Sequence, residues 1–208
     1  MTRQDGLKQP ASQEWQAFMT SPADYADASR LVECFDGAIG ESACGRMLQS
    51  RRLNERLSGI LLDHYGLNPE VSDASADELD SAIALSSGEE LEELALRAGA
   101  IYWAGSLAAV IDGREAAALQ AALGADLCAF AVANRDLAGP LQSFDPAEDF
   151  HGRVYADGLS CLGAWCQAMP NETSMRVRLK LMPSESVDQP VDETFAEAGP
   201  AIVRRAMS

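Results

Sequence analysis

Lysine is nearly absent from this chain, and positive charge is scarce altogether. Lys8 and Lys180 are the only lysines among 16 basic residues, which stand against 32 acidic residues and give a formal net charge of -16. A chain so acidic repels phosphate backbones and anionic lipid headgroups, and it lacks the counterion release that drives nucleic-acid binding. We therefore expect neither nucleic acid nor an anionic membrane surface among its partners.

Paired cysteines and long apolar runs are missing as well. The five cysteines include no Cys-x-x-Cys pair, and the two longest charge-free runs, residues 98–111 and 158–171, have 14 residues each. Dispersed cysteines inside helical patterns are typical of small buried hydrophobic residues in a reducing compartment. Runs this short do not span a bilayer, and the amino-terminal residues show no apolar signal segment. We expect a cytoplasmic chain without membrane insertion, monomeric in isolation.

Motifs of catalysis and cofactor binding are also lacking. Histidine occurs only at positions 64 and 151, and there is no Gly-x-Ser-x-Gly or His-Glu-x-x-His motif. The stretch "GESACGRM", residues 40–47, has the glycine spacing of a phosphate-binding loop, but Arg46 and Met47 stand where a lysine and a hydroxyl are required. We predict no catalytic, cofactor-binding or metal-ligating residues. A hydrolase that uses His151 with nearby acids is the enzymatic alternative.

What the chain does contain is apolar residues at helical spacing, which predict a mainly α fold. Its 208 residues suffice for one domain with a core. We predict a flexible tail over residues 1–14 and a single helical domain over residues 15–208, within which residues 68–88 form an acidic surface segment. The domain is expected to hold roughly six to eight helices, with one or two short strands near the carboxyl terminus.

Two helices have clear signals at their ends. Ser87 and Glu90 predict a capping box at the start of an apolar helix, in which Gly99 and Gly105 indicate close approach by a neighbour. A second helix, predicted over residues 41–65, should end at a left-handed Gly66 followed by Leu67 as its apolar partner.

The strands are predicted from a change of period near the carboxyl terminus. "MRVRLKLM", residues 175–182, alternates apolar and basic residues, which predicts a half-buried strand whose basic side chains face water. Residues 186–195 are a weak candidate for its partner. A last helix is expected from Pro200 to Ala206, with the proline at its first position.

The charged cluster in "VIDGREAAALQAALG", residues 110–124, resembles a site but is interpreted as a turn. Asp112 and Glu115 predict a second capping box, and Gly124 should close the helix that follows. The apolar side chains around the turn are expected to pack beneath it: Ile111, Leu119 and Leu123.

One concentrated positive feature remains in this acidic background: Arg46, Arg51, Arg52 and Arg56. In one interpretation these arginines form a solvated helix face with intrahelical pairs to Glu55. In the other they dock against an acidic protein surface, because the guanidinium fork matches carboxylates. The basic residues of the stretch 176–180 admit the same two interpretations.

Three stretches are notable for their order along the chain. Residues 22–31, "PADYADASRL", contain Pro-x-x-Tyr and then Ser-Arg-Leu; residues 98–132 contain an apolar helix, an Ile-Asp-Gly turn and a Leu-Gly step; residues 176–182 are "RVRLKLM". Together they resemble the SctK family (YscK, PscK, OrgA and MxiK) of bacterial type III secretion systems, which often has His-Pro where this chain has Asp27 and Ala28. The residues that carry the likeness are Pro22, Tyr25, Ser29, Arg30, Leu31, Ile111, Asp112, Gly113, Leu123, Gly124 and Phe130.

The resemblance implies a non-enzymatic adaptor of the cytoplasmic sorting platform. Such a protein joins the cytoplasmic domain of the inner-membrane ring protein SctD to the pod protein SctQ, at the cytoplasmic face of the inner membrane and without a cofactor. The alternative within secretion is another helical interaction protein, such as a chaperone that stabilises a cargo.

Overall fold

The computed structural model describes residues 12–70, 77–143 and 149–208. These residues form thirteen α-helices and two short 3-10 helices, Pro22–Asp24 and Arg135–Leu137. The α-helices are, in chain order, α1 (Gln13–Thr20), α2 (Ala28–Cys34), α3 (Glu41–Leu48), α4 (Asn54–His64), α5 (Glu78–Leu85), α6 (Gly88–Tyr102), α7 (Ala104–Ala109), α8 (Gly113–Leu123), α9 (Ala125–Ala133), α10 (Phe150–Ala168), α11 (Asn171–Arg178), α12 (Glu185–Asp188) and α13 (Glu193–Met207).

The prediction of a mainly α chain is confirmed, but the expected number of helices was too low. The helix predicted over residues 41–65 is divided into α3 and α4 by a turn at residues 49–53. The apolar run 98–111 likewise breaks at Trp103, between α6 and α7. Apolar periodicity continues across such short breaks, so it does not reveal them.

The predicted strands near the carboxyl terminus are wrong, because no strand occurs in the described residues. Residues 175–178 belong to α11, residues 186–188 to α12 and residues 193–195 to the start of α13. The side chains of Thr173, Arg176, Val177 and Lys180 are buried, at helical spacing of three or four residues. The strand prediction failed because it took the basic side chains of the alternating pattern to face water.

A large core lies where α6, α10 and α13 pack together, and it includes Trp103, Trp165 and Ile202. Glycines let two of these helices approach closely. A Cβ on Gly99 would stand 2.9 Å from the carbonyl carbon of Val154, which confirms the close neighbour that the sequence indicates at this position. The backbones of α6 and α10 are therefore in direct contact.

A small core gathers α2, α3, α4 and the 3-10 helix at Pro22–Asp24. Its buried members are Ala23, Leu31, Cys44, Leu57, Leu61, Leu62, Leu67 and Leu179. Seven of these eight residues lie between positions 23 and 67, while Leu179 comes from the turn after α11. The carboxyl-terminal part of the chain thus completes a core built by the amino-terminal part.

The capping signals worked where the side chain and the backbone are only a few residues apart. Ser87 accepts from the amide of Glu90 at 3.2 Å, and the Glu90 carboxylate accepts from the amide of Ser87 at 2.7 Å, which confirms the capping box of α6. At the end of α4, Gly66 has φ of +63° and the amide of Leu67 donates to the carbonyl of Leu62 at 2.8 Å. This is the predicted left-handed helix end.

Three predicted boundaries need correction. Residues 1–11 of the tail lie outside the described residues, but residues 13 and 14 belong to α1, whose Trp15 is buried in the large core. Within the acidic surface segment 68–88, residues 71–76 also lie outside, while Asp80 and Ile83 of α5 are buried. The last helix begins at Glu193 rather than Pro200, because burial of the apolar face of α13 outweighs the helical hydrogen bond that a proline lacks.

Candidate protein-interaction surfaces

The four arginines predicted to bind a partner lie within one eleven-residue segment that runs from α3 to the first turn of α4, which we call the arginine corner: Arg46, Arg51, Arg52 and Arg56. Arg46 is in α3, Arg51 and Arg52 are in the turn that follows, and Arg56 is in the first turn of α4. All four are exposed, and Arg46 donates to the Ser42 hydroxyl at 2.9 Å. No ion pair within the described residues joins them to an acid, so the expected pairing with Glu55 is not formed.

Most other basic side chains of the described residues already have a partner. Arg204 pairs with Asp80 at 2.8 Å, Arg205 pairs with Asp136 at 3.3 Å, and the Arg97 guanidinium lies 4.5 Å from the ring centre of Phe130. Three further basic residues are buried: Arg30, Arg176 and Lys180. The arginine corner is therefore where exposed guanidinium groups without an acidic partner are concentrated.

The first and third stretches of the family resemblance contact each other directly. The amide of Asp27 donates to the carbonyl of Leu179 at 2.8 Å, and Arg30 Nε donates to the carbonyl of Leu181 at 2.9 Å. Arg30 also pairs with Asp188 at 3.1 Å. These stretches form the junction between the two cores, and their buried basic residues, Arg30, Arg176 and Lys180, hold the fold together.

Residues at the start of α2 show why the first stretch folds as it does. Asp27 accepts from the amide of Ser29 at 2.9 Å and from its hydroxyl, and thereby caps α2. Pro22 begins the 3-10 helix and Leu31 is fully buried in the small core. The departure from His-Pro at positions 27 and 28 thus supplies a helix cap.

Arg176 is fully buried and donates hydrogen bonds to three separate parts of the chain. Its Nε and Nη2 donate to the carbonyl of Met19, at the end of α1, at 3.0 and 2.8 Å. Nη2 also reaches the carbonyl of Asn68 at 2.6 Å, and Nη1 donates to the Glu172 carboxylate at 2.6 Å. A buried guanidinium needs such complete pairing, and here it ties α1, the end of α4 and α11 together.

Lys180 is buried in the same junction. Its ammonium donates to the carbonyls of Ala84 and Ser86, both at 2.6 Å, at the carboxyl end of α5. The rings of Phe18 and Tyr25 lie 4.8 and 5.1 Å from the same nitrogen, as in cation–π contacts. The Tyr25 hydroxyl in turn donates to the carbonyl of Phe18 at 2.7 Å. Lys180 therefore joins α1, α5 and the turn after α11.

Because Lys180 is buried, the stability of the protein should depend on pH through this residue. Burial lowers the pKa of Lys180 to about 8, against a weaker opposing effect of Glu90. A lysine in the unfolded chain has a pKa of about 10.4. Between pH 8 and this value the unfolded state therefore binds more protons than the folded state, so the free energy of unfolding rises with pH. We expect the difference in unfolding free energy, wild type minus Lys180→Met, to grow from about pH 8 to about pH 10 in urea titrations.

The variant is subtracted from the wild type because cysteine thiols change the free energy of unfolding in the opposite direction over the same pH range. Burial raises the pKa of Cys34 and Cys166 to about 11, so their contribution to stability falls as the pH rises above their unfolded values. Both thiols are present in wild type and variant and cancel in the difference. A difference that stays flat or falls with pH would contradict the assignment to Lys180.

The middle stretch of the resemblance forms α6 to α9, and it departs from expectation at two residues, Glu115 and Ile111. Asp112 accepts from the amides of Arg114 and Glu115 at 2.7 and 3.1 Å, and thus caps α8, which begins at Gly113. The returning bond from Glu115 that a capping box requires is not formed. Leu119 and Leu123 are buried as predicted, and Gly124 has φ of +88°. Ile111, however, is 97% exposed, so the prediction that it packs beneath the turn is wrong.

Groups that could serve catalysis are dispersed. His151 is exposed in the first turn of α10, and the residues before Asp149 in its acidic stretch lie outside the described residues. No group of three or more His, Cys, Asp or Glu that could hold a metal occurs within the described residues. Burial raises the pKa of all five cysteine thiols, whereas a cysteine nucleophile needs a lowered pKa.

The described part of the chain contains no single helix that is both long and apolar enough to cross a membrane. The pair α8 and α9 passes the same test of length and composition only when taken together, and these helices meet at an angle of 104°.

Comparison with known proteins yields one family and two relatives. The model of the family described as "YOP proteins translocation protein K (YscK)" matches residues 14–207. The chain is 27% identical over 165 residues to nodulation protein NolU of Rhizobium fredii, which covers 79% of this chain and 74% of the relative. The same figures hold for NolU of Sinorhizobium fredii (strain NBRC 101917 / NGR234). No solved structure matches significantly.

Proposed function

This chain belongs to the YscK family of type III secretion proteins, and on that premise we propose that it is a non-enzymatic adaptor of the sorting platform. In this role it links the cytoplasmic domain of SctD to SctQ at the cytoplasmic face of the inner membrane. The family is one of secretion accessory proteins rather than enzymes, and the match extends over nearly the whole chain.

The arginine corner is the observation that best supports binding of a protein partner. Four exposed arginines within eleven residues form no ion pair with an acid of the described residues, in a chain whose net charge is -16. Arginine forms bidentate hydrogen bonds with carboxylates, and complementary charge at an interface raises association rates and selects partners. We assign the corner to an acidic patch on SctD or SctQ.

Charge reversal at the corner tests this assignment. Because both side chains are exposed in a turn and form no ion pair, Arg51→Glu with Arg52→Glu should leave the melting temperature unchanged. It should weaken binding to one of the two proteins by about tenfold or more, since attraction becomes repulsion. Pull-downs with the purified SctD cytoplasmic domain and with SctQ measure the effect.

A matched control carries the same change of net charge elsewhere on the surface. Arg135→Glu reverses one exposed arginine outside the corner and should retain wild-type binding, and its match at the corner is Arg51→Glu alone. Unchanged binding of the corner variant to both proteins, or equal losses in the two variants, would remove the arginine corner from the interface.

A further inference from the structure

Exposed large apolar side chains are few in the described residues, and three of the four surround one helix. Ile111 is 97% exposed, Leu141 75% and Val132 38%, while Met182, at 60%, lies elsewhere. Ile111 and Leu141 line a groove beside α8, and Val132 lines a smaller depression beside the same helix. Clustered apolar exposure of this kind marks an interaction site more often than an ordinary surface.

The groove beside Ile111 and Leu141, which we call the α8 groove, has a volume of about 550 Å³. Its floor is aromatic: the rings of Trp103 and Phe150 meet edge to face with centroids 5.1 Å apart. Trp103 donates to the Asp157 carboxylate at 2.7 Å, and the amide of Gln142 on the groove wall donates to the Ser106 hydroxyl at 2.8 Å. The groove is therefore fixed by hydrogen bonds before any partner arrives.

Charge around the α8 groove restricts what can occupy it. Asp112 and Glu115 line the groove, and Asp149 directly precedes Phe150, which is part of the groove floor. Arg153 is nearby, but its guanidinium already lies 4.9 Å from the Trp103 ring centre and donates to Gln142 at 3.2 Å. With a net charge of -16 on the whole chain, an acidic occupant would be repelled.

We propose that the α8 groove binds an amphipathic helix of a partner protein, one that has basic residues beside its apolar face. A helix presents apolar anchors three and four residues apart, which suits a groove that is lined by exposed apolar side chains. The proposal rests on the proposed function, since an adaptor needs two docking surfaces. The arginine corner and the α8 groove select opposite charge, so each surface rejects the partner of the other.

A synthetic peptide serves as the probe, because the natural helix is unidentified. It has leucines at helical spacing along one face and lysines on the others. The chain has six isoleucines, so methyl NMR of the Ile δ1 groups reports on both surfaces at once. We expect the Ile111 signal to shift and saturate, while those of Ile39 and Ile60, which pack against the small core, stay in place.

Variants separate the apolar from the charged contribution. Ile111→Ser with Leu141→Ser should raise the dissociation constant about tenfold without loss of stability, whereas the matched Met182→Ser should leave it unchanged. Asp112→Asn with Glu115→Gln should also weaken binding and reduce its dependence on salt, because asparagine preserves the helix cap while both charges are lost.

Three results would overturn the proposal. One is an Ile111 signal that does not move when the peptide is added. Another is a scrambled Leu/Lys peptide, or a Leu/Glu helix, that binds as tightly as the amphipathic Leu/Lys peptide. The third is an Ile111 signal that moves with protein concentration alone, which would assign the groove to a second copy of this chain. The arginine-corner variant should bind the peptide normally. If the peptide does not bind but charge reversal at the arginine corner weakens the pull-down, only the α8 groove is refuted. If the peptide binds but charge reversal has no effect on the pull-down, only the arginine corner is refuted.

Discussion

Replacing Arg176 with methionine is expected to lower the free energy of unfolding by about 4 kcal/mol. The substitution removes the donors that serve the carbonyls of Met19 and Asn68, and it leaves the carbonyl of the fully buried Met19 unpaired inside the protein. It also separates Glu172 from its ion-pair partner. Urea denaturation of wild type and variant measures the loss, which should appear as a lower midpoint with an unchanged slope.

Arg178 provides a control two residues along the same helix. Its Nε is buried without a hydrogen-bond partner, and Nη1 reaches the sulfur of Met175 at 3.9 Å. Arg178→Met should therefore change stability by less than about 1 kcal/mol. Equal costs for the two arginines would mean that the hydrogen bonds of Arg176 contribute little.

Adding one methyl group at Gly158 is expected to destabilise the fold by about 3 kcal/mol. The new Cβ would overlap the carbonyl oxygen of Ala95 and stand 2.7 Å from its carbonyl carbon, so α6 and α10 would have to separate. Gly99→Ala meets the backbone of Val154 in the same way and should have a similar effect. The midpoint of thermal unfolding, followed by circular dichroism, reports both changes.

Gly59 in α4 gives the opposite expectation for the same substitution. A Cβ there meets nothing within 4 Å, so Gly59→Ala should stabilise the protein by about 0.5 to 1 kcal/mol through the higher helix propensity of alanine. Destabilisation at all three glycines would show that the close approach of α6 and α10 is not the cause.

Local signals in the sequence predicted local structure well. The capping box at Ser87 and the left-handed end at Gly66 depend on residues within a few positions of each other, and both are formed. The close contact at Gly99 was also predictable, because a glycine within an apolar helical stripe leaves room for the backbone of a neighbouring helix. Such features require no knowledge of the rest of the chain.

Long-range pairing could not be predicted from the same patterns. Arg176 and Lys180 bond to carbonyls about a hundred residues or more away, and Arg30 pairs with Asp188. A charged residue in an alternating pattern is expected to face water. It can be buried only where carbonyls at helix ends accept its hydrogen bonds, and the sequence does not show where those carbonyls lie. The same limit hid the α8 groove, whose walls at residues 141–142 and 111–119 meet only in the folded protein.

The arginine corner could be predicted from the sequence only in part. Its composition was visible in the sequence, but exposure and the absence of ion pairs to Glu55 required the structure. The three stretches of the family resemblance were likewise visible, whereas the contact between the first and the third was not. That contact shows these stretches to be parts of one structural junction.

The position of Leu179 in the small core has a consequence for biosynthesis. Residues 23–67 leave the ribosome well before residue 179, and at roughly 5–20 residues per second the interval lasts several seconds or more. During this time the apolar faces of α2 and α4 lack the leucine that covers them, and Asp27 lacks its hydrogen bond to the carbonyl of Leu179. The small core is thus completed only after translation has entered the last quarter of the chain, and until then the apolar surface that Leu179 covers is open to chaperones.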